Sequence, residues 1–322
     1  MNIVVASAIC PEALAQLQCD HVVTCAWKFN AKDLHSCVSD CEVLVFRSGV
    51  EVSAELMGRA PQLQLLVRAG SGLDNLDMAY VQEQKLELVR IPMPGARAVA
   101  ELTFGVMIML ARQILLADSE LRKGHWLKNS LTGYLLKGKT LGIVGAGNIG
   151  SMIGEMVAQW GMQAIGCVAR PDAGAAERLW RQQVRLATFH EVLTQSDFLT
   201  LHVPLDQSTN KLIRQEELDC MKPGAYLINM ARGGVVDEAA LAQALTRPGG
   251  LAGAALDVHV QEGEGCLSPL TGLANVVLTP HVGATTIDSQ REIGEQIIAA
   301  IDDYECRARQ PADEPMRRYG ND

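Results

Sequence analysis

Three glycines in the stretch GIVGAGNIG, at positions Gly145, Gly147 and Gly150, stand in the pattern G-x-G-x-x-G. In such a pattern the first glycine permits a tight turn and the second lets a pyrophosphate approach the backbone. The third lets a helix pack closely on a strand. The helix that opens there offers free N–H groups and a partial positive charge, which suits an anion. About 20 residues further on, a site of this kind usually carries an acid that binds ribose hydroxyls. This chain has Val168 there, with Arg170 two residues later. A 2′-phosphate is repelled by an acid and attracted by a guanidinium. The segment therefore favours NADP over NAD. The other reading open to the sequence is that Arg170 is solvated and the pocket accepts NAD without the acid.

Two more arginines stand where chemistry is expected. Arg47, in LVFRSGV, and Arg68, in LLVRAGSG, each end an apolar run that reads as a strand. Parallel sheets place ligands beyond the carboxyl ends of their strands. The pair could hold an anionic group such as a phosphate, or could pair with local acids such as Asp74. No metal is expected. The seven histidines show no H-E-x-x-H spacing and the nine cysteines contain no C-x-x-C pair.

The elements that must position these residues alternate. Ile3–Val5, Val22–Thr24, Val43–Phe46, Leu63–Val67 and Leu86–Val89 read as short strands, with amphipathic runs such as PEALAQLQ, AKDLHSCV and SAELMGRA among them. Pro11 suits the first turn of a helix. A second series begins near Leu141, with TLGIVG, MQAIGCV, FLTLHV, AYLINMA, GAALDV and VVLTPH as strands. This alternation predicts an α/β protein with two parallel sheets, each covered by helices on both faces. Between the two series, Ala98–Ala117 is helical in composition and apolar nearly all round, which predicts burial between domains or subunits, or else an ordinary core helix.

At 322 residues and 48% hydrophobic composition the chain can bury two cores. A net charge of −9 without a basic run argues against nucleic acid as a partner. The longest apolar run, near FGVMIMLA, is shorter than a membrane span, and the N-terminus lacks a signal-peptide pattern. Scattered cysteines in odd number suit reduced thiols in the cytoplasm.

Seven segments together resemble one family, the D-isomer-specific 2-hydroxyacid dehydrogenases, and most of all its 3-phosphoglycerate dehydrogenase branch. They are LLVRAGSGLDNLD, AELTFGVMIMLAR, LKGKTLGIVGAGNIG, LHVPL, INMARGGVVDE, GAALDV and LTPHVGATT. The resemblance implies a Rossmann dinucleotide-binding domain, residues 97–286, inserted in a flavodoxin-like substrate domain, residues 1–96 and 287–322. It also implies a homodimer and transfer of a hydride between a nicotinamide cofactor and a small D-2-hydroxy or 2-keto acid.

Residue by residue, the resemblance carries over a catalytic set of Arg232, Glu262 and His281. Arg232 would hold and polarise the keto acid, His281 would donate the proton, and Glu262 would orient and charge His281. Gly263 follows Glu262 where relatives have proline, so Glu264 stands as a fallback acid, and His259 departs from the usual aromatic residue. Ser71, with Gly72, matches the cradle for the substrate carboxylate beside the nicotinamide. Asn148 and Ile149 match the pyrophosphate contacts, Val203 and Pro204 the adenosine wall, and Asp257 the carboxamide partner. Met230, Gly283 and Ala284 complete the cofactor set. Arg47 and Arg68 match the branch's pattern for a distal anion. Arg97 would add a third cation to the substrate mouth or be solvated. The substrate expected is a hydroxy or keto acid bearing a second anionic group, with 3-phosphoglycerate first. A glyoxylate or hydroxypyruvate reductase using NADPH, or a reductase of a phosphono- or sulfo-pyruvate, is the alternative. A dinucleotide-sensing binding protein on the same fold is a remote one.

Overall fold

A computed structural model describes residues 1–28 and 31–309. The chain divides into two compact units. One comprises Met1–Pro94 and the chain from Thr286 onward, and the other Gly95–Thr285.

The first unit is built on five parallel strands, β1 (Asn2–Val5), β2 (Val22–Cys25), β3 (Val43–Phe46), β4 (Leu65–Arg68) and β5 (Glu87–Arg90), in the order β2-β1-β3-β4-β5. Side chains alternate between its two faces. Val4, Leu44, Phe46 and Leu66 enter one buried cluster, and Ile3, Val5, Val43, Val45, Leu65 and Val67 enter the other. Helices α1 (Pro11–Asp20), α2 (Ala31–Cys37), α3 (Ala54–Gly58) and α4 (Met78–Glu83) connect the strands, with Pro11 in the first turn of α1.

Helix α5 (Met93–Ala111), all but its first two residues in the second unit, is followed there by α6 (Ile114–Arg122). The single helix expected over Ala98–Ala117 is thus two. Gln113 takes a left-handed conformation at φ +51° and breaks it. Ala100, Val106, Met107, Leu110 and Ala111 enter the core, while Ile114 and Leu115 are exposed. Met93–Ala111 is, by length and composition, long and apolar enough to cross a membrane, with a mean hydropathy of 1.3, yet 44% of that window is buried within the protein. A helix of a packed core meets the same composition.

Seven parallel strands follow: β6 (Thr140–Val144), β7 (Gln163–Cys167), β8 (Val184–Leu186), β9 (Phe198–Leu201), β10 (Tyr226–Asn229), β11 (Gly253–Leu256) and β12 (Val276–Leu278). Their order is β12-β11-β10-β9-β6-β7-β8, with helices α7 (Asn148–Gln159), α8 (Ala175–Arg181), α9 (Phe189–Gln195), α10 (Gln215–Cys220) and α11 (Glu238–Thr246) between them. The chain leaves β6 toward β8 and returns through β9 on the other side. The reversal between β6 and β9 is the topological switch point of a doubly wound Rossmann sheet, where ligands bind. The two parallel α/β sheets expected from the alternation are both present.

The long helix α12 (Ile287–Arg309) returns to the first unit. Ile293, Ile297 and Ile301 pack under its sheet, and Gly294 lies so close to α1 that a Cβ would sit 2.7 Å from that of Ala13.

Candidate active site

The three glycines after β6 do three different things. Gly145 turns at φ +89°, and a Cβ there would lie 2.6 Å from the carbonyl oxygen of His202 at the end of β9. Gly150, in the first turn of α7, packs on β6, where a Cβ would meet Ile143 Cγ2 at 2.7 Å. A Cβ on Gly147 would meet nothing within 4 Å. Space therefore opens above Gly147, at the N-terminus of α7, where Asn148 and Ile149 begin the helix. This is the arrangement a pyrophosphate requires. The turn is fixed because the N–H groups of Gly145 and Ala146 both donate to the Cys167 carbonyl on β7, each at 3.0 Å.

Beside the turn lies a cavity of about 560 Å³ whose walls include Gly145, Val168, Ala169, Leu186, Val203 and Leu212. Its apolar walls suit an adenine ring. Val168 stands on its wall at the end of β7, and the one acid among the lining residues is Glu191, whose carboxylate accepts the backbone N–H of Thr188 at 2.8 Å. Pro204, its neighbour, is exposed and accepts the Thr209 hydroxyl at 2.7 Å. Arg170 is exposed and is not among the lining residues, and it makes no ion pair among the described residues. The nearby Arg178 is committed to Asp172 at 2.9 Å.

At the carboxyl ends of β10, β11 and β12 the chain brings together three loops. His281 Nδ1 meets Glu262 Oε2 at 2.8 Å, with both side chains partly exposed. Partial burial opposes ionisation of Glu262. The hydrogen bond with His281, the backbone N–H of His259 and the charge of the two imidazoles outweigh it, and hold the carboxyl below the ordinary glutamate value. Glu264 is exposed and makes no bond to His281. Gly263 stands at φ +132°, a backbone that a proline cannot take.

His281 itself has φ +54°, uncommon for a residue other than glycine. Asp257, 3% exposed, holds it there. Its backbone carbonyl accepts the His281 N–H at 2.8 Å. Its carboxylate accepts the Thr279 hydroxyl (2.6 Å) and the N–H groups of Val282 (2.9 Å) and Gly283 (2.8 Å). Three of about four acceptor positions are thus engaged by the loop, which leaves one on Oδ2. Ala284 follows against Gly95, and Met230 is buried at the end of β10.

Arg232 follows β10. Its guanidinium donates to the Ala231 carbonyl at 2.7 Å, and Asn229 Nδ2 donates to the Arg232 carbonyl at 3.0 Å. Gly233, next in sequence, touches the loop after β11, since a Cβ there would sit 1.8 Å from the His259 carbonyl oxygen. Glu238, 6% exposed, accepts from the Val260 N–H and the Ser268 hydroxyl, each at 3.0 Å, and so fixes both ends of the loop that carries Glu262. The sequence reading passed over Gly233 and Glu238. An acid inside the apolar run VVDEAALAQAL was the available signal.

In the first unit, Arg47 is half-buried at the end of β3. Burial draws its pKa down, and its side chain makes no hydrogen bond or ion pair among the described residues. Arg68 differs from the expectation of a second anion-binding cation. It is 2% exposed, and its guanidinium turns onto its own loop, with Nε to Gly72 O at 2.8 Å and a second nitrogen to Ala69 O at 3.3 Å. The reason is local: Gly70, at φ +157°, leaves room that the guanidinium fills. Arg90, at the end of β5, donates to Ser71 O at 2.5 Å. Two arginines therefore pin the carbonyls of this loop, while the N–H groups of Ser71 and Gly72 have no acceptor among the described residues. Arg90 carried the same strand-end signal as Arg47 and was missed. Arg97, in the second unit, is 80% exposed and pairs with Glu101 at 3.0 Å.

Residues 104–283 match the family model for the D-isomer specific 2-hydroxyacid dehydrogenase, NAD binding domain. The chain is 36% identical over 272 residues to a hydroxypyruvate reductase of Thermotoga maritima, covering 84% of this chain and 86% of that one. It is 36% identical over 301 residues to D-3-phosphoglycerate dehydrogenase of Methanocaldococcus jannaschii, covering 94% of this chain and 57% of the other. The chain thus spans little more than half the length of that dehydrogenase. Among solved structures, D-lactate dehydrogenase from Aquifex aeolicus, complexed with NAD and lactic acid, superposes with a TM-score of 0.82 at 25% identity, covering 95% of this chain and 96% of that one. A glyoxylate reductase from Paecilomyes thermophila gives 0.80 at 26%, covering 94% and 95%.

Proposed function

The chain belongs to the D-isomer specific 2-hydroxyacid dehydrogenases, and on that premise we propose that it reduces a small 2-keto acid bearing a second anionic group to the D-2-hydroxy acid, and runs the reverse oxidation. The Glu262–His281 contact at 2.8 Å carries this reading. A carboxylate against one imidazole nitrogen fixes the orientation of the ring, which leaves the other nitrogen to give a proton to a carbonyl oxygen. Arg232 would hold the keto acid through its planar fork and draw charge onto that oxygen. The unpaired N–H groups of Ser71 and Gly72 would receive the substrate carboxylate, and Arg47 the distal anion.

The residues fit a nicotinamide dinucleotide, with open space over Gly147, a helix N-terminus beside it and an apolar cavity for adenine. When bound, the cofactor supplies or accepts the hydride at the carbon of the carbonyl. Gly145, Gly147, Asn148, Ile149 and Gly150 would hold its pyrophosphate, Val203 and Pro204 its adenosine. Met230, Asp257, Gly283 and Ala284 would border its nicotinamide. We assign NADP over NAD because Val168 stands where the acid is expected and Arg170 makes no ion pair among the described residues. The exposed apolar side chains of Ile114, Leu115, Leu121, Trp126, Tyr134 and Leu135 support a homodimer. Nine free cysteines support a reducing cytoplasm.

A second reading, a hydroxypyruvate or glyoxylate reductase, draws on the inward turn of Arg68, which leaves Arg47 as the one strand-end arginine of the expected pair free to face an anion. Steady-state rates with phosphorylated, sulfonated and plain 2-keto acids, each with NADH and NADPH, test both. A kcat/KM highest for a plain keto acid selects the second reading. Absence of turnover with every keto acid refutes both.

A further inference from the structure

His259 links three loops that carry the reacting groups. Its backbone N–H donates to Glu262 Oε1 at 3.1 Å, the oxygen that His281 does not use. Its ring Nε2 lies 2.9 Å from the carbonyl oxygen of Thr279, two residues before His281. Its own carbonyl is the group against which Gly233, the neighbour of Arg232, is packed. The contacts form a closed circuit. From His259 N–H it runs to Glu262, from Glu262 to the His281 ring, along the backbone to Thr279, and from the Thr279 carbonyl back to the His259 ring.

The chemistry of the partners fixes the tautomer. A carbonyl oxygen can only accept, so Nε2 carries the proton. The other ring nitrogen, Nδ1, is shielded from solvent and has no hydrogen-bond partner among the described residues. A ring that leaves one nitrogen unsatisfied is held for what the other nitrogen does. The Thr279 hydroxyl is given to Asp257 and its N–H to the Leu256 carbonyl at 3.0 Å, while its carbonyl oxygen takes the His259 ring N–H. Without the His259 ring, Thr279 would keep its ties to Asp257 and to the Leu256 carbonyl and lose the one that joins it to the loop of Glu262.

We propose that His259 is a positioning residue of the acid–base pair, whose Nε2–H anchors the Thr279–His281 turn to the loop of Glu262 and so keeps the His281 ring in register with the carboxylate. The proposal rests on the dehydrogenase reading for its kinetic consequence but not for its structural one. His259 touches neither substrate nor cofactor in it.

Two substitutions separate this role from simple packing. His259→Phe keeps a ring of similar size and loses the donor. His259→Gln keeps a side-chain N–H at the same reach. With both variants shown folded by thermal melting, His259→Phe is expected to lose tenfold or more in kcat on the best 2-keto acid, with KM and the dissociation constant for NADPH within twofold of wild type. His259→Gln should stay within threefold of wild type throughout. The imidazole nitrogen resonances of His281, assigned by comparison with His281→Gln, should move in His259→Phe and hold in His259→Gln, whether or not any keto acid is turned over. If the resonances are unchanged in His259→Phe, or if Gln is as damaging as Phe, the proposal is overturned. Absence of turnover in wild type with intact resonance shifts would instead overturn the dehydrogenase reading alone.

Discussion

Gly233 and the carbonyl of His259 occupy adjoining space so fully that a single added methyl at Gly233 would fall 1.8 Å from that oxygen. The neighbour here is backbone, so it cannot rotate away. Gly233→Ala must displace the loop of Arg232 or the loop of Glu262. Overpacking of this kind costs roughly 1–3 kcal/mol or more. The variant is expected to melt several degrees lower and to lose kcat at temperatures where it remains folded. Unchanged melting and kcat would show that the two loops are not in contact.

The glycines of the turn after β6 make a paired test. Gly150→Ala forces a methyl onto Ile143 and the Gly145 carbonyl, and should destabilise the fold by roughly 1–3 kcal/mol by the same overpacking. Gly147→Ala meets nothing in the protein and should leave the melting temperature near wild type. It should weaken NADH and NADPH binding by tenfold or more in a fluorescence titration, because the methyl takes the place of the phosphates.

The proposed preference for NADP rests on the end of β7. Arg170→Ala should weaken NADPH more than NADH, and Val168→Asp should raise NADH affinity relative to NADPH. Dissociation constants for both cofactors with both variants are the measurement. Tighter NAD than NADP binding in wild type would reverse the assignment.

Arg47 is expected to act on substrates by their charge. Arg47→Ala should raise KM tenfold or more for a keto acid with a distal phosphate or sulfonate and change KM for glyoxylate little. An equal effect on both would remove the distal anion from the reading.

The pH dependence follows from Glu262. Its carboxyl lies below the ordinary glutamate value, so its pairing with His281 is complete above the unfolded value of about 4.3 and is lost as pH falls through the lower folded value. The keto-acid reductase should therefore keep an intact pair at pH 5 and lose kcat only further into acid. Glu262→Gln should cost on the order of 100-fold in kcat, in the range of positioned acid–base effects. A profile identical to wild type would exclude the pair from proton transfer.

The sheet architecture was legible because strands buried on both faces leave continuous apolar runs, and the glycine turn because each glycine answers a separate steric demand. The break at Gln113 was not. A left-handed glutamine carries no local signature, and the composition runs apolar through it. Arg68 was read as a cation and proved to be a brace, because its orientation depends on the room left by Gly70, a backbone property two residues away. Arg90, Gly233, Glu238 and His259 were unread as supports for a related reason. Their partners lie far along the chain, in contacts that spacing alone does not encode.

Asp257 carries one further consequence. A carboxylate buried at 3% exposure and bound by a hydroxyl and two backbone amides has no freedom to turn toward a visitor. Whatever uses its remaining lone pair must arrive with the right shape. Redesign of this protein for another cofactor or another acid has a fixed point here, and its adjustable parts lie at Val168, Arg170 and Arg47, whose side chains make no hydrogen bond or ion pair among the described residues.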